Sequence, residues 1–60
     1  MSQEILKSFA EGQIEASRIN LENIKSFPEA DRIGLEEYFT KHIRINELAL
    51  EKLEEEEGKE

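Results

Sequence analysis

The chain has no cysteine, and this absence excludes several kinds of chemistry at the outset. Without thiols it forms no disulfide, has no nucleophilic thiolate and supplies no cysteine ligand to zinc. Its apolar runs are far shorter than the roughly 20 residues of a membrane-spanning helix or the roughly 7 to 15 of a secretory leader core. The sequence therefore predicts neither segment, and we expect a cytoplasmic protein.

Groups that carry catalysis are also scarce. His42 is the only histidine, and no serine, cysteine or carboxylate lies on its own helix face to complete a catalytic triad. The residue three positions before it is Phe39, whereas di-iron helical bundles need a Glu-x-x-His pair. Glycine-rich phosphate loops and calcium-binding loops do not occur. We therefore predict that the protein is not an enzyme, with no catalytic residues, no metal site and no cofactor.

Basic residues are outnumbered, since eight lysines and arginines stand against fifteen acidic residues and leave a net charge of -7. Such a charge disfavours binding to nucleic acids and to anionic membranes. One stripe is an exception: Lys7, Arg18 and Lys25 lie within about 20° of each other around a helix, where they would meet phosphates. Each of the three follows a glutamate by three residues, so a solvated surface of i, i+3 ion pairs is the favoured interpretation, and phosphate binding is the alternative.

Helix-forming residues make up much of what the chain does contain. Ala, Glu, Lys, Leu and Arg account for 32 of its 60 residues, which is typical of coiled coils and long helices. At about 100° per residue, apolar side chains gather on one broad side of each of two segments. These side chains are Ile5, Leu6, Phe9, Ala10, Ile14, Ala16, Ile19, Leu21, Ile24 and Phe27 in the first segment, and Leu35, Tyr38, Phe39, Ile43, Ile45, Ala49, Leu50 and Leu53 in the second. The periodicity predicts helices over about 3–26 and 31–56, with Ser2 as an N-cap.

Pro28 is the one strong break in the pattern. It disfavours a helical conformation for Phe27 and has no N–H to donate, so a turn is predicted over about 27–30. Pro28 suits the first position of the second helix, with Asp31 as an alternative cap. Gly12 lies inside the first helix, where it costs about 1 kcal/mol relative to alanine. It either lets another helix approach closely or marks a tolerated weak point or a break into two helices.

Two helices joined by a short connection predict an all-α fold, an antiparallel two-helix hairpin over residues 1–53. Each apolar arc is wider than one neighbour covers, so we expect two hairpins to dimerise into a four-helix bundle, as a homodimer or with an obligate heteromeric partner. The predicted core and oligomer interface comprises Leu6, Phe9, Gln13, Ile14, Asn20, Ile24, Phe27, Leu35, Tyr38, Phe39, His42, Ile45, Asn46, Ala49 and Leu53. Residues 54–60 are predicted to form an acidic, fraying tail.

A polar patch interrupts the apolar side of the second helix. His42 has Tyr38 and Asn46 one turn to either side. A chain folded back about its proline places residue i level with residue 55 − i, and therefore Gln13 opposite His42. A buried polar layer of this kind fixes register and oligomer state in coiled coils. The alternatives for His42 are a metal ligand, a general base or a pH switch.

In length, acidity and hairpin pattern the chain resembles the Rop type of small dimeric four-helix bundle, which regulates plasmid copy number by binding paired RNA loops. No motif is shared, and RNA binding would rest on the stripe of Lys7, Arg18 and Lys25. The leading hypothesis is a non-enzymatic regulatory or adaptor protein that binds an unknown protein through an apolar groove or its acidic outer face. The alternative is an acidic, DNA-mimicking inhibitor of a nucleic-acid-binding protein, of the kind that phages carry. Partner affinity that falls steeply with salt would favour the inhibitor.

Overall fold

The computed structural model describes residues 3–58, which are almost entirely helical. Helix α1 covers Gln3–Asn23, a 3₁₀ turn covers Ile24–Ser26, and helix α2 covers Glu29–Gly58. Side chains near the start of α1 contact the end of α2, so the two helices form an antiparallel hairpin, which measures 49 × 14 × 14 Å. The predicted all-α class is thus confirmed, while the predicted N-cap, Ser2, lies outside the described residues.

The connection between the helices is built from backbone hydrogen bonds around the proline. The Phe27 N–H donates to the Ile24 carbonyl at 2.9 Å, which closes the 3₁₀ turn. Phe27 is extended, with φ -78° and ψ 154°, as steric contact with a following proline requires. The Pro28 carbonyl accepts a bond from the Asp31 N–H at 3.0 Å. Pro28 therefore occupies the N-cap position of α2, and Glu29 is the first helical residue. This corrects two predictions: that Pro28 would be the first helical residue, and that Asp31 was the alternative cap.

The two helices meet along a narrow line of side chains that we call the hairpin seam. The first half of the chain contributes Ala10, Ile14, Ser17 and Leu21 from α1 and Ile24 from the 3₁₀ turn, and α2 contributes Leu35, Phe39, Ile43, Asn46, Leu50 and Leu53. Three of the α1 residues and Ile24 are buried, but no residue of α2 is buried, and no large side chain among the described residues is completely enclosed. The hairpin by itself therefore has a thin core.

Two ion pairs across the hairpin show how the helices are aligned. Arg18 Nη2 lies 3.8 Å from Glu47 Oε2, and Lys7 Nζ lies 3.4 Å from Glu57 Oε2. If residue i lay level with residue 55 − i, Arg18 would lie level with residue 37 and Lys7 with residue 48. Those residues come about nine or ten positions before the observed partners, Glu47 and Glu57, on α2. Two effects explain the difference: the extended Phe27 lengthens the connection, and the Cα–Cβ bonds of both helices tilt toward their own N-termini, so these side chains lean toward each other.

The acidic run at the end of α2 is helical rather than frayed, because α2 continues to Gly58. Gln3 Nε2 donates a hydrogen bond to Glu56 Oε2 at 3.2 Å, and Lys7 contacts the next carboxylate, Glu57. Glutamate is also a good helix former. These two causes correct the prediction of a tail that begins at residue 54, whereas residues 59 and 60 of that tail lie outside the described part of the chain.

Gly12 does not break α1, which runs through it without interruption. A methyl group at this position would meet no atom within 4 Å, and the same holds for Gly34 in α2. We expect Gly12→Ala to raise the free energy of unfolding by about 1 kcal/mol, because alanine is the better helix former and restricts the unfolded chain. Urea unfolding followed by circular dichroism measures this, with Gly34→Ala expected to behave alike; a loss of stability in either variant would contradict the open surroundings.

Candidate interaction surface

Apolar side chains that the hairpin leaves uncovered gather on one side of it, on a surface that we call the open face. It consists of Leu6, Phe9, Gln13, Ala16, Asn20 and Phe27 from the first half of the chain, and of Tyr38, His42, Ile45 and Ala49 from α2. His42 is half-buried and the other nine residues are exposed; Phe9 is 65% exposed and Ile45 50%. The hairpin therefore presents a mixed surface of large apolar groups and neutral polar groups.

The helical residues of the open face form one continuous surface because each comes one position before a residue that faces the other helix. On α1, Gln13 comes one position before the seam residue Ile14, and on α2, Ile45 comes one position before Asn46; Leu6, which precedes the half-buried Lys7, follows the same rule. One position is a rotation of about 100° around the helix. Because the two helices are antiparallel and face each other, the same rotation turns both rows toward the same side of the hairpin.

The opposite side of the hairpin is charged, and we call it the charged side. It is formed by the residues that come one position after the seam: Glu11, Glu15, Arg18 and Glu22 on α1, Lys25 in the 3₁₀ turn, and Glu36, Thr40, Arg44, Glu47, Glu51 and Glu54 on α2. All of them are exposed, and Thr40 alone among these eleven carries no charge. The hairpin is therefore a two-helix layer with one charged side and one side that is uncharged apart from Lys52, which comes one position before the seam residue Leu53.

The polar residues that were predicted to form one buried layer are divided between the seam and the open face. Asn46 lies in the seam, where its Nδ2 donates to the His42 carbonyl at 2.8 Å, so its amide bonds within α2. Gln13 lies exposed on the open face. The His42 ring lies tilted against Tyr38, at 4.3 Å between centroids and 39° between planes, and Tyr38 meets Phe39 edge to face at 5.2 Å. These contacts place the imidazole in an aromatic cluster at the border between the two surfaces.

The fifteen residues predicted for the core and interface fall into two sets. Ile14, Ile24, Leu35, Phe39, Asn46 and Leu53 lie in the hairpin seam, and Leu6, Phe9, Gln13, Asn20, Phe27, Tyr38, His42, Ile45 and Ala49 lie on the open face. The prediction missed five seam residues: Ala10, Ser17, Leu21, Ile43 and Leu50. Four of these lie on the apolar sides predicted for the two helices, and only Ser17, a polar residue, gave no such signal. Its spacing of three residues from Ile14 and four from Leu21 is typical of a packed helix face.

Each cation of the stripe formed by Lys7, Arg18 and Lys25 lies beside a carboxylate. Lys25 Nζ lies 2.9 Å from Glu22 Oε2, the glutamate three residues earlier that the sequence indicated. Lys7 and Arg18 reach across the hairpin instead, in the pairs described above. Exposed pairs of this kind contribute only about 0.2 to 1 kcal/mol each. They nevertheless place a negative group beside every cation of the stripe, which disfavours an approaching phosphate.

Over residues 3–58 the acidic side chains and His42 form no group of three or more that would hold a metal ion. In the same part of the chain, neither helix combines the length and the apolar character needed to cross a membrane. A depression on the charged side, lined by Glu11, Arg18 and Glu47 among others, is open to solvent. Comparisons of the chain with protein-family models, with curated proteins and with solved structures gave no match.

Proposed function

We propose that this chain is a small non-enzymatic regulatory or adaptor protein that acts through protein–protein contact as a homodimer, in which two hairpins pack by their open faces into a four-helix bundle. The observation that carries the proposal is the division of the hairpin into a neutral side and a charged side. A two-helix layer with one apolar side is stable when a second layer covers that side. In the dimer the two charged sides would form the outer surfaces, in contact with water.

The angle between the two rows of core-type residues supports four helices rather than two. In a four-helix bundle each helix packs against two neighbours in directions about a right angle apart. Both α1 and α2 carry such a pair of rows, about 100° apart, and the hairpin seam uses only one of them. A two-stranded coiled coil needs a single row. The second row is therefore accounted for by a second hairpin.

The exposed area agrees with an interface of ordinary size. The chain exposes 4864 Å², whereas a compact monomer of the same 7.0 kDa mass would expose about 4,000 Å². The excess of about 800 Å² equals what a standard interface buries on each partner. Burial of this excess on each partner would leave each chain with about the exposed area of a compact monomer of its mass.

A second copy of the chain suits the open face better than an unlike partner does. Two chains that each carry -7 repel one another, but none of the ten residues of the open face is acidic, and seven carboxylates lie on the charged side, away from this contact. The middle of the open face holds the uncharged amides of Gln13 and Asn20. Buried between two hairpins, these amides would fix the register of the dimer, as single asparagines do in coiled coils. A two-fold axis would make the same patch serve on both partners.

Sedimentation equilibrium combined with circular dichroism over a dilution series tests the dimer. We expect a mass twice the chain's 7.0 kDa at micromolar concentration, and a helical signal that falls on dilution because folding is coupled to association. A 7.0 kDa species that keeps its helical signal at every dilution would refute the dimer. A chain that is monomeric and largely unfolded would assign the open face to another protein.

The charged side supports a second candidate function, an acidic inhibitor of a nucleic-acid-binding protein. Glutamates of both helices share this surface, among them Glu11, Glu15 and Glu51. A regular display of carboxylates on a rigid helical layer imitates the charge of a phosphate backbone. The dependence of partner affinity on salt separates this function from an adaptor that binds through apolar contact.

A further inference from the structure

A line of three residues on α1 belongs to neither the hairpin seam nor the open face, and we call it the outer strip: Ile5, Gly12 and Ile19. The three are seven residues apart, and each comes two positions before a residue that faces α2, so they lie on the side of α1 directed away from α2. Ile5 is 60% exposed and Ile19 55%. We propose that the outer strip docks a basic amphipathic helix of a partner protein, an inference that specifies the proposed adaptor function and rests on it.

The exposed isoleucines have no role within the hairpin. Isoleucine loses rotamer freedom in a helix, so local preference does not account for it at an outward position. The strip would also stay outside the contact of the proposed dimer, because it lies about 100° around α1 from the open face, one position before Leu6, Gln13 and Asn20. On α2 the two outward apolar residues, Ile33 and Leu48, are separated by Glu37, Lys41 and Arg44 among others and form no such line.

Gly12 shapes the middle of the strip. Glycine is the least favourable residue in a helix interior apart from proline, and nothing in the hairpin requires it here, because a methyl group would fit without contact. Without a side chain, Gly12 leaves a notch between Ile5 and Ile19, where the backbone of α1 is open to close approach. A side chain of a helix lying along α1 would enter this notch.

Charge on one flank of the strip specifies the occupant. Glu11 and Glu15 lie along this flank, and neither has an ion-pair partner within residues 3–58. On the other flank lie Phe9 and Ala16, which are uncharged. An apolar helix face with lysines or arginines along one edge complements both flanks. Ile5 and Ile19 are fourteen positions apart, about 21 Å of helix, so the occupant needs about four turns.

Binding of a designed peptide tests the docking surface. The probe is a fluorescent helical peptide of about 18 residues, with leucines along one face and lysines along one edge of that face. Titrated with the full chain and followed by anisotropy, it is expected to bind saturably. The double change Ile5→Ser with Ile19→Ser should weaken binding at least about tenfold, and Gly12→Ala should weaken it while stabilising α1.

The matched control removes two equally exposed apolar side chains from α2, in the double change Ile33→Ser with Leu48→Ser, and is expected to bind as the unchanged chain does. Equal affinity of the two double variants, or no saturable binding at low salt, would overturn the docking surface. The docking surface would also be refuted if Ile45→Lys lost binding while the strip variants kept it, because the peptide would then occupy the open face. Sedimentation of the same samples separates the two proposals: a monomer that binds through the strip refutes only the dimer.

Discussion

Replacing Ile45 by lysine is expected to separate the proposed dimer into monomers, whereas replacing Leu48 by lysine should leave it intact. In the single hairpin the two side chains are equally accessible, at 50% and 53% exposed, and they lie three residues apart on α2. Ile45 belongs to the open face, while Leu48 lies two positions before the seam residue Leu50 and points outward. A difference between the variants therefore reports on contacts outside the hairpin.

The expected effect is large because each dimer contains two copies of Ile45. Full burial of an exposed isoleucine contributes about 1.5 to 3 kcal/mol. Ile45 is 50% exposed in the single hairpin, so burying the rest of both copies contributes about 1.5 to 3 kcal/mol to association. At about 1.4 kcal/mol per factor of ten, the dissociation constant should rise by about 10 to 10², and burial of a lysine ammonium adds to the loss. The neighbouring charges are similar, since Lys41 precedes Ile45 by four residues and Arg44 precedes Leu48 by four.

Sedimentation equilibrium of the two variants at equal concentration measures this difference directly. The expected outcome is a Leu48→Lys chain at twice 7.0 kDa and an Ile45→Lys chain near 7.0 kDa. If both remain dimeric with the same affinity, the open face is not the contact between the chains. If both become monomeric, the effect does not depend on burial at position 45, and the open face is not identified as the contact.

The fold class was predictable from local properties of the sequence. The spacing of the apolar residues specifies two amphipathic helices, and Pro28 specifies the break between them, because it lacks an N–H and restricts Phe27. Antiparallel packing then follows from the shortness of the connection. None of these steps needs information about residues that are far apart in the chain.

The division of the broad apolar arc into two rows was not predictable in the same way. Ile14 and Gln13 both belong to the predicted interface, and only the packing of α2 places one in the seam and the other on the open face. The end of α2 is a similar case, because Glu56 and Glu57 are held by Gln3 and Lys7, more than forty residues away in the chain. Periodicity shows which residues are on a helix face, but contacts between distant residues decide what that face packs against.

Replacing Ile14 by alanine is the second change for which a large effect is expected. Ile14 is 8% exposed and is one of the few buried residues of the hairpin seam. Truncation of a buried isoleucine to alanine costs about 2 to 5 kcal/mol, and a 60-residue domain has only about 3 to 9 kcal/mol of stability. The variant should therefore lose half or more of its stability, measured as the urea midpoint at fixed concentration.

Ile19→Ala is the matched control, because the same side chain is removed from the same helix at a position that is 55% exposed. Its stability should be unchanged or higher, since alanine is the better helix former. Equal midpoints for the two variants would show that the seam is not the core of the hairpin. Folding and association are coupled in the proposed dimer, so a higher concentration should restore helix in Ile14→Ala, whose open face is intact. The same increase in protein concentration should restore little helix in Ile45→Lys, because that change disrupts the contact between the two chains on which the effect of concentration depends.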